Sequence, residues 1–113
     1  MDCIFCKIVK GDIPCAKVYE NDRVLAFDDI NPMAPVHVII VPKKHLPTLL
    51  DIDARSAGIA VDLILAAQEV AKIKGIALKG FRTVINCNAE GGQVVFHLHM
   101  HVLGGKKLKD DLG

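Results

Sequence analysis

Three histidines alternate with apolar residues in the segment Phe96-His97-Leu98-His99-Met100-His101-Val102-Leu103. A period of two belongs to an extended strand, on which successive side chains point to opposite faces. His97, His99 and His101 therefore share one face, and Phe96, Leu98, Met100 and Val102 share the other. Same-face neighbours stand ~6.6–6.8 Å apart along such a strand. The apolar face needs a core to lie against, so the segment belongs to a sheet, with its imidazoles projecting into a common space. Three of the 5 histidines in the chain lie here.

The chain can supply that core. It has 113 residues, 51% hydrophobic and 24% charged, which reads as one folded domain over 1–113 and excludes a disordered chain. Cys3 to Val9 reads as a short helix or turn ended by Gly11. Ala16–Glu20 and Val24–Ile30 flank Asn21-Asp22 as a hairpin. Pro32 and Pro35 mark a loop. Val36–Val41 is a continuous, largely β-branched run, read as a buried strand stopped by Pro42. Asp53 is the expected N-cap of one long amphipathic helix in which Ile59, Leu63, Ala67, Val70 and Ala71 recur at helical spacing before Gly75. Phe81–Cys87 and Val95–Leu103 are the remaining strands, the latter closed by Gly104-Gly105. Strands dominate and several connections are hairpin-length, so the class is α+β with a mainly antiparallel sheet.

Other features exclude functions. The net charge of +1 gives no basic surplus for a nucleic-acid binder, and the absence of Trp with 4% aromatics leaves no base-stacking platform. No G-x-G-x-x-G or Walker-type loop occurs, so no organic cofactor is expected. The longest apolar region, Ala57 to Ala67, is broken by Asp62 and too short to span a bilayer. The opening MDCIFCKIVKGD lacks a signal-peptide stretch, so a cytoplasmic protein without membrane attachment is expected.

Clustered imidazoles admit three chemistries. They can fill polar positions of a partly exposed strand. They can bind a metal, although histidines at i, i+2 and i+4 span ~13 Å between end Cα atoms and converge poorly on one ion. Or one can be a nucleophile, oriented by its neighbours, and we read the segment this way. A neutral imidazole suits that role because its ordinary pKa of ~6.5 leaves it mostly unprotonated at pH 7. Just upstream, Gly91-Gly92 permits close backbone approach, with amides able to receive a phosphate oxygen. Separately, Cys3-x-x-Cys6 has the spacing of half a tetrahedral zinc site, or is a pair of packed, inert thiols. Cys15 and Cys87 have no partner signal.

Gly91-Gly92-Gln93 followed by His97-Leu98-His99-Met100-His101-Val102-Leu103 resembles the histidine triad motif. Phe27-Asp28-Asp29-Ile30, Ala34-Pro35-Val36-His37 and Pro42-Lys43-Lys44-His45 resemble the Hint branch of the histidine triad (HIT) nucleotide-binding family, in a match running from about Ile4 to Gly105. The resemblance implies a HIT-like fold: a five-stranded antiparallel sheet with one long and one short helix on one side, and a homodimer whose sheets join into ten strands. It implies a purine nucleoside phosphoramidate or acyl-nucleotide hydrolase that works through a nucleotidyl-histidine and releases a nucleoside monophosphate such as AMP. A purine-nucleotide-binding interaction module with weak hydrolysis is the competing function.

Residue by residue, the resemblance makes His99 the nucleophile, held by a backbone carbonyl near His97. His101 matches the contact to phosphate and leaving group, and His37 the upstream histidine supporting the triad. The transferase branches commonly carry Gln at the position of His101, so hydrolysis is expected. Asp29 matches the carboxylate that accepts from both ribose hydroxyls. Ile4, Phe5, Ile8, Phe27 and Ile30 match the apolar slot for the purine, and Asn86, Gly92 and Gln93 the residues around the phosphate. Val94 stands where the Hint pattern places Ser. The tail from Lys106 to Gly113 lacks the aromatic C-terminus of some Hint proteins. Relatives with C-I-F-C complete a structural zinc set with the residues matching His45 and His97, so that Cys3, Cys6, His45 and His97 are the implied ligands.

Overall fold

A computed structural model describes residues 3–110; Met1, Asp2 and the end of the charged tail, 111–113, lie outside it. The chain runs α1 (Ile4–Lys10), β1 (Lys17–Glu20), β2 (Val24–Asp28), β3 (Val36–Pro42), α2 (Gly58–Ile73), β4 (Phe81–Val84) and β5 (Met100–Gly104). Short 3-10 turns lie at Leu49–Asp51 and Ala89–Gly91. The five strands form one antiparallel sheet in the order β1-β2-β3-β5-β4. The hairpin forms as expected: Oδ1 of Asn21 accepts from the amides of Arg23 (2.8 Å) and Val24 (2.9 Å), closing the turn between β1 and β2.

Both faces of β2 and β3 are buried. Val24, Ala26, Val38 and Ile40, with Met100 and Val102 of β5, pack against Leu63, Ala66, Ala67, Val70 and Ala71 of α2. The alternate residues Leu25, Phe27, Ile39 and Val41 pack against Cys3 and Phe5 at α1. The two helices thus cover opposite faces, not one side as the family resemblance implies. The physical reason lies in the strands themselves, whose unbroken apolar runs leave no face for water and need a cover on each. α1 has only two turns and is marginal alone, so its place depends on this packing and on its Gly11 cap, which adopts φ 83°.

Three expectations change. The histidine strand begins at Met100, not at Val95, because neither pairing runs further: β3 pairs last through Ile40↔Met100 and β4 through Val84↔His101. Pro42 has no N–H with which to prolong the ladder. Residues 95–99 leave the sheet, and Phe96 is 49% exposed rather than packed behind it. Leu98, Met100 and Val102 do join the α2-facing core, as the alternation requires. β4 likewise ends at Val84, short of Cys87. Asp53 caps a preceding turn, its Oδ1 accepting from Arg55 (2.9 Å) and Ser56 (3.0 Å), while the N-cap of α2 is Ala57.

Candidate active site and metal centre

Backbone groups decide the tautomers of the imidazoles, because an amide only donates and a carbonyl only accepts. Nδ1 of His99 donates to the carbonyl of His97 at 2.7 Å, which leaves a lone pair on Nε2. The Met33 amide donates to Nδ1 of His37 at 3.0 Å, so His37 carries its proton on Nε2. That proton points to Nδ1 of His101, 2.8 Å away, and His101 is left with a proton on its own Nε2. The rings of His99 and His101 lie with centroids 5.0 Å apart, so a free lone pair and a free N–H stand side by side. Phe5 closes the other flank of His99, edge-on at 5.1 Å.

Asp29 sits beside this array. Its Oδ2 is 3.4 Å from Nε2 of His37, and its Oδ1 accepts from the Asn31 amide at 2.7 Å. Asp29, His37 and His101 lie close enough to hold a cation. Their hydrogen bonds argue otherwise: with Nδ1 of His37 occupied by Met33, its Nε2 carries a hydrogen and has no lone pair for a metal.

Burial holds the imidazoles below their ordinary value. It is the leading cause for His37 and His99, opposed at both by the Asp29 charge and at His99 also by the His97 carbonyl. His101 is pushed down to about 4, first by burial and then by the neighbouring His99 and His37. All three are neutral at pH 7, the state in which a nitrogen can attack an electrophile.

The loop before the histidines is braced from inside. Gln93 is buried; its Oε1 accepts from Asn88 (2.8 Å), and its Nε2 donates to the carbonyls of Pro47 (2.8 Å) and Val95 (3.1 Å). The amides of Gly92 and Gln93 donate to the carbonyls of Ala89 and Asn88, both at 3.0 Å. The Gly92 amide and the Gln93 side chain are engaged within the loop, where Gln93 works as a brace. Asn86 donates from Nδ2 to the Gly91 carbonyl at 2.7 Å. Asn88 is the one non-glycine residue with positive φ (61°) among those described, and with ψ −177° it sits in a strained region otherwise almost confined to glycine. Val94, beside the brace, is 87% exposed.

Of the expected purine slot, Phe5 and Phe27 are buried in the α1-facing core and Ile8 packs against it. Ile4 is half exposed, and Ile30 is 92% exposed next to Asp29. A cavity of about 690 Å³ lies elsewhere, between the α2–β4 connection and the residues after β5. Its charged lining is lysine (Lys74, Lys79, Lys106, Lys107), and none of the imidazoles reaches it.

The second cluster is built from three distant parts of the chain. Cys3 and Cys6 bracket the start of α1, His45 follows β3, and His97 is fully buried before β5. Sγ of Cys3 lies 3.3 Å from Nδ1 of His97; Sγ of Cys6 lies 3.3 Å from Nδ1 of His45 and 3.5 Å from Nδ1 of His97. The two Nδ1 atoms are 3.1 Å apart. Ligands ~2.0–2.3 Å from a tetrahedral centre are separated by ~3.3–3.8 Å, and these contacts, at 3.1 to 3.5 Å, lie near the short end of that range. Nε2 of His97 donates to the Pro42 carbonyl at 2.8 Å, which turns the Nδ1 lone pair toward the sulfurs. Burial and the adjacent Cys3 raise the Cys6 thiol, a direction that a cation between the sulfurs would reverse. This group can hold a metal ion.

The sequence pattern did not reveal the Met33 amide, the Pro42 and Pro47 carbonyls, or the brace formed by Gln93. Backbone groups carry no residue-type signature that could announce them. Among the described residues no helix is long and apolar enough to cross a membrane.

A family model described as HIT domain matches residues 10–108. The purine nucleoside phosphoramidase of Escherichia coli K12 is 44% identical over 105 residues, covering 93% of this chain and 88% of that protein. An uncharacterised HIT-like protein of Synechocystis is 52% identical over 105 residues, covering 93% and 91%. Among solved structures, a histidine triad protein from Clostridium difficile superposes with a TM-score of 0.95 at 52% identity, over 99% of this chain and 97% of that one. A HIT family hydrolase from Legionella pneumophila also gives 0.95, at 40% identity over 99% and 100%.

Proposed function

The chain belongs to the HIT family, and on that premise we propose that it hydrolyses purine nucleoside phosphoramidates through a nucleotidyl-histidine formed on His99. One observation carries the reading: His99 is tied through Nδ1 to the His97 carbonyl at 2.7 Å, so its Nε2 lone pair is free beside the N–H of His101. The name of the Escherichia coli relative agrees with the substrate class.

In the first step the Nε2 lone pair of His99 forms a bond to the α-phosphorus. The P–N bond to the leaving group breaks, its electron pair stays on nitrogen and takes up a proton from solvent, and the Nε2–H of His101, oriented by its hydrogen bond with His37, stabilises the departing group by a hydrogen bond. In the second step water attacks phosphorus, the His99–P bond breaks with its electron pair returning to Nε2, and the proton of water goes to solvent. AMP or a related monophosphate leaves. Asp29 is placed to accept from the ribose hydroxyls, and Phe5, Ile8 and Phe27 with Ile4 and Ile30 to receive the base. Asn86, Gly92 and Gln93 hold the loop against the phosphate.

For the metal we propose zinc held by Cys3, Cys6, His45 and His97. With four protein ligands it would have no open position, and its contribution would be structural, cross-linking α1 to the segments flanking the sheet. Thiolates in that role suit a reducing compartment such as the cytoplasm. We also propose a homodimer joined at β4. Two features support it: β4 is a sheet edge, and α2 turns Val61, Ile64 and Leu65 outward. Each protomer is then one domain.

The binding-module reading rests on Val94, an exposed valine where the family pattern has a hydroxyl. A single-turnover incubation with an adenosine phosphoramidate separates the two functions. The enzyme forms adenylated protein and then free AMP at a stoichiometry near one per site. A module binds the compound and leaves it intact.

A further inference from the structure

We infer that Cys3, Cys6 and His45 are positioning residues for the nucleophile, because the cluster they form grips the one peptide unit that sets the orientation of His99. The inference rests on the proposed metal site and deepens its purpose from fold support to site geometry.

The peptide unit joining His97 to Leu98 has two polar ends. Its carbonyl accepts from Nδ1 of His99 at 2.7 Å, and its N–H donates to the carbonyl of Leu46 at 2.7 Å. No strand pairing steadies it, since β5 begins at Met100. Leu98 anchors one end in the α2-facing core, and the cluster holds the unit from both sides. The side chain of His97 is itself a member, packed at 3.3 Å from Cys3 and 3.5 Å from Cys6. Leu46, which takes the N–H, directly follows His45, another member, at 3.3 Å from Cys6. Phe5, on the helix that bears Cys6, lies edge-on to His97 (6.0 Å) and His99 (5.1 Å). A metal that ties the four ligands together thereby fixes the His97 carbonyl, the proton on Nδ1 of His99 and the lone pair on its Nε2. Without the tie the peptide unit can rotate, and His99 is free to hold its proton on either nitrogen.

The test compares zinc-loaded wild type with Cys3→Ser/Cys6→Ser and with His45→Ala, whose partly exposed loop position keeps the fold testable should the double variant not fold. Imidazole 15N spectra report the His99 tautomer, elemental analysis reports metal, and kcat for an adenosine phosphoramidate is set against the Kd for AMP. Leu63→Ala, in the core on the opposite face, controls for general loosening. Loss of metal should convert His99 from a single Nδ1–H tautomer to a mixture. It should lower kcat by ~10–100-fold, the range for partners that orient a ligand or nucleophile from behind, with AMP affinity little changed. Leu63→Ala should lose Tm and keep the tautomer. Metal lost with tautomer and kcat unchanged overturns the inference and leaves the zinc reading standing. A tautomer shift of equal size in Leu63→Ala also overturns it. Wild-type protein that takes up no zinc when reconstituted overturns both.

Discussion

Nε2 of His37 donates to Nδ1 of His101 at 2.8 Å, and the direction of that bond is set by a backbone amide, Met33, on the far side of the His37 ring. One peptide N–H thus decides which nitrogen of His101 faces outward with a proton. Together with the His97 carbonyl on His99, it makes two chemically identical rings into a donor and a nucleophile.

His101 should make stability depend on pH. Its folded value is about 4, against an ordinary ~6.5 in the unfolded chain. Between these values the unfolded state binds the extra proton, so stability is full above pH ~6.5 and is lost as pH falls toward 4. His101→Gln should flatten that part of the profile by of order 1–3 kcal/mol. Urea unfolding of both proteins across pH 4–7 checks it (the metal site is common to both), and parallel profiles would refute it.

His99→Ala should abolish turnover while AMP still binds. Removing a covalent nucleophile takes away transition-state stabilisation, and the base and ribose contacts lie on other residues. Retention of more than a tenth of wild-type kcat is incompatible with the role proposed for His99.

Val94→Ser should speed phosphoramidate hydrolysis. The position is exposed beside the loop braced by Gln93, and on the proposed reading a hydroxyl there contacts the leaving group or phosphate. A hydrogen bond to a charged group contributes ~1.5–3 kcal/mol, equivalent to ~10- to 150-fold if made only in the transition state. The gain belongs in kcat more than in KM. An equal or lower kcat would mean that His101 or water already makes the contact.

Gly105→Ala should destabilise more than Gly104→Ala. Gly105 has φ 91°, and an added Cβ would stand 2.9 Å from Cβ of Pro35, a rigid ring. At Gly104 the 2.9 Å contact is the mobile end of Ile76. A left-handed conformation forced on a side chain costs ~1–3 kcal/mol, so a drop in Tm of several degrees is expected for Gly105→Ala. Thermal melts of the two variants that coincide would contradict this.

Local pattern was enough for much of the molecule. The alternation at 97–103 placed Leu98, Met100 and Val102 in the core and the three imidazoles opposite them. The spacing of Leu63, Ala67, Val70 and Ala71 showed one long helix, Asn21-Asp22 showed a hairpin, and C-x-x-C marked two members of a group that can hold a metal ion. These are short-range features, because strand and helix periods repeat within a few residues and turn chemistry is local. The tertiary structure decided what depends on distant partners. It put α1 and α2 on opposite faces, began β5 only at Met100, and brought Cys3 within 3.3 Å of His97 across 94 positions of sequence. It also assigned the protons, through Met33, Pro42 and His97. Those partners are peptide groups, which every residue possesses alike, so no choice of side chain could announce them before the chain folded.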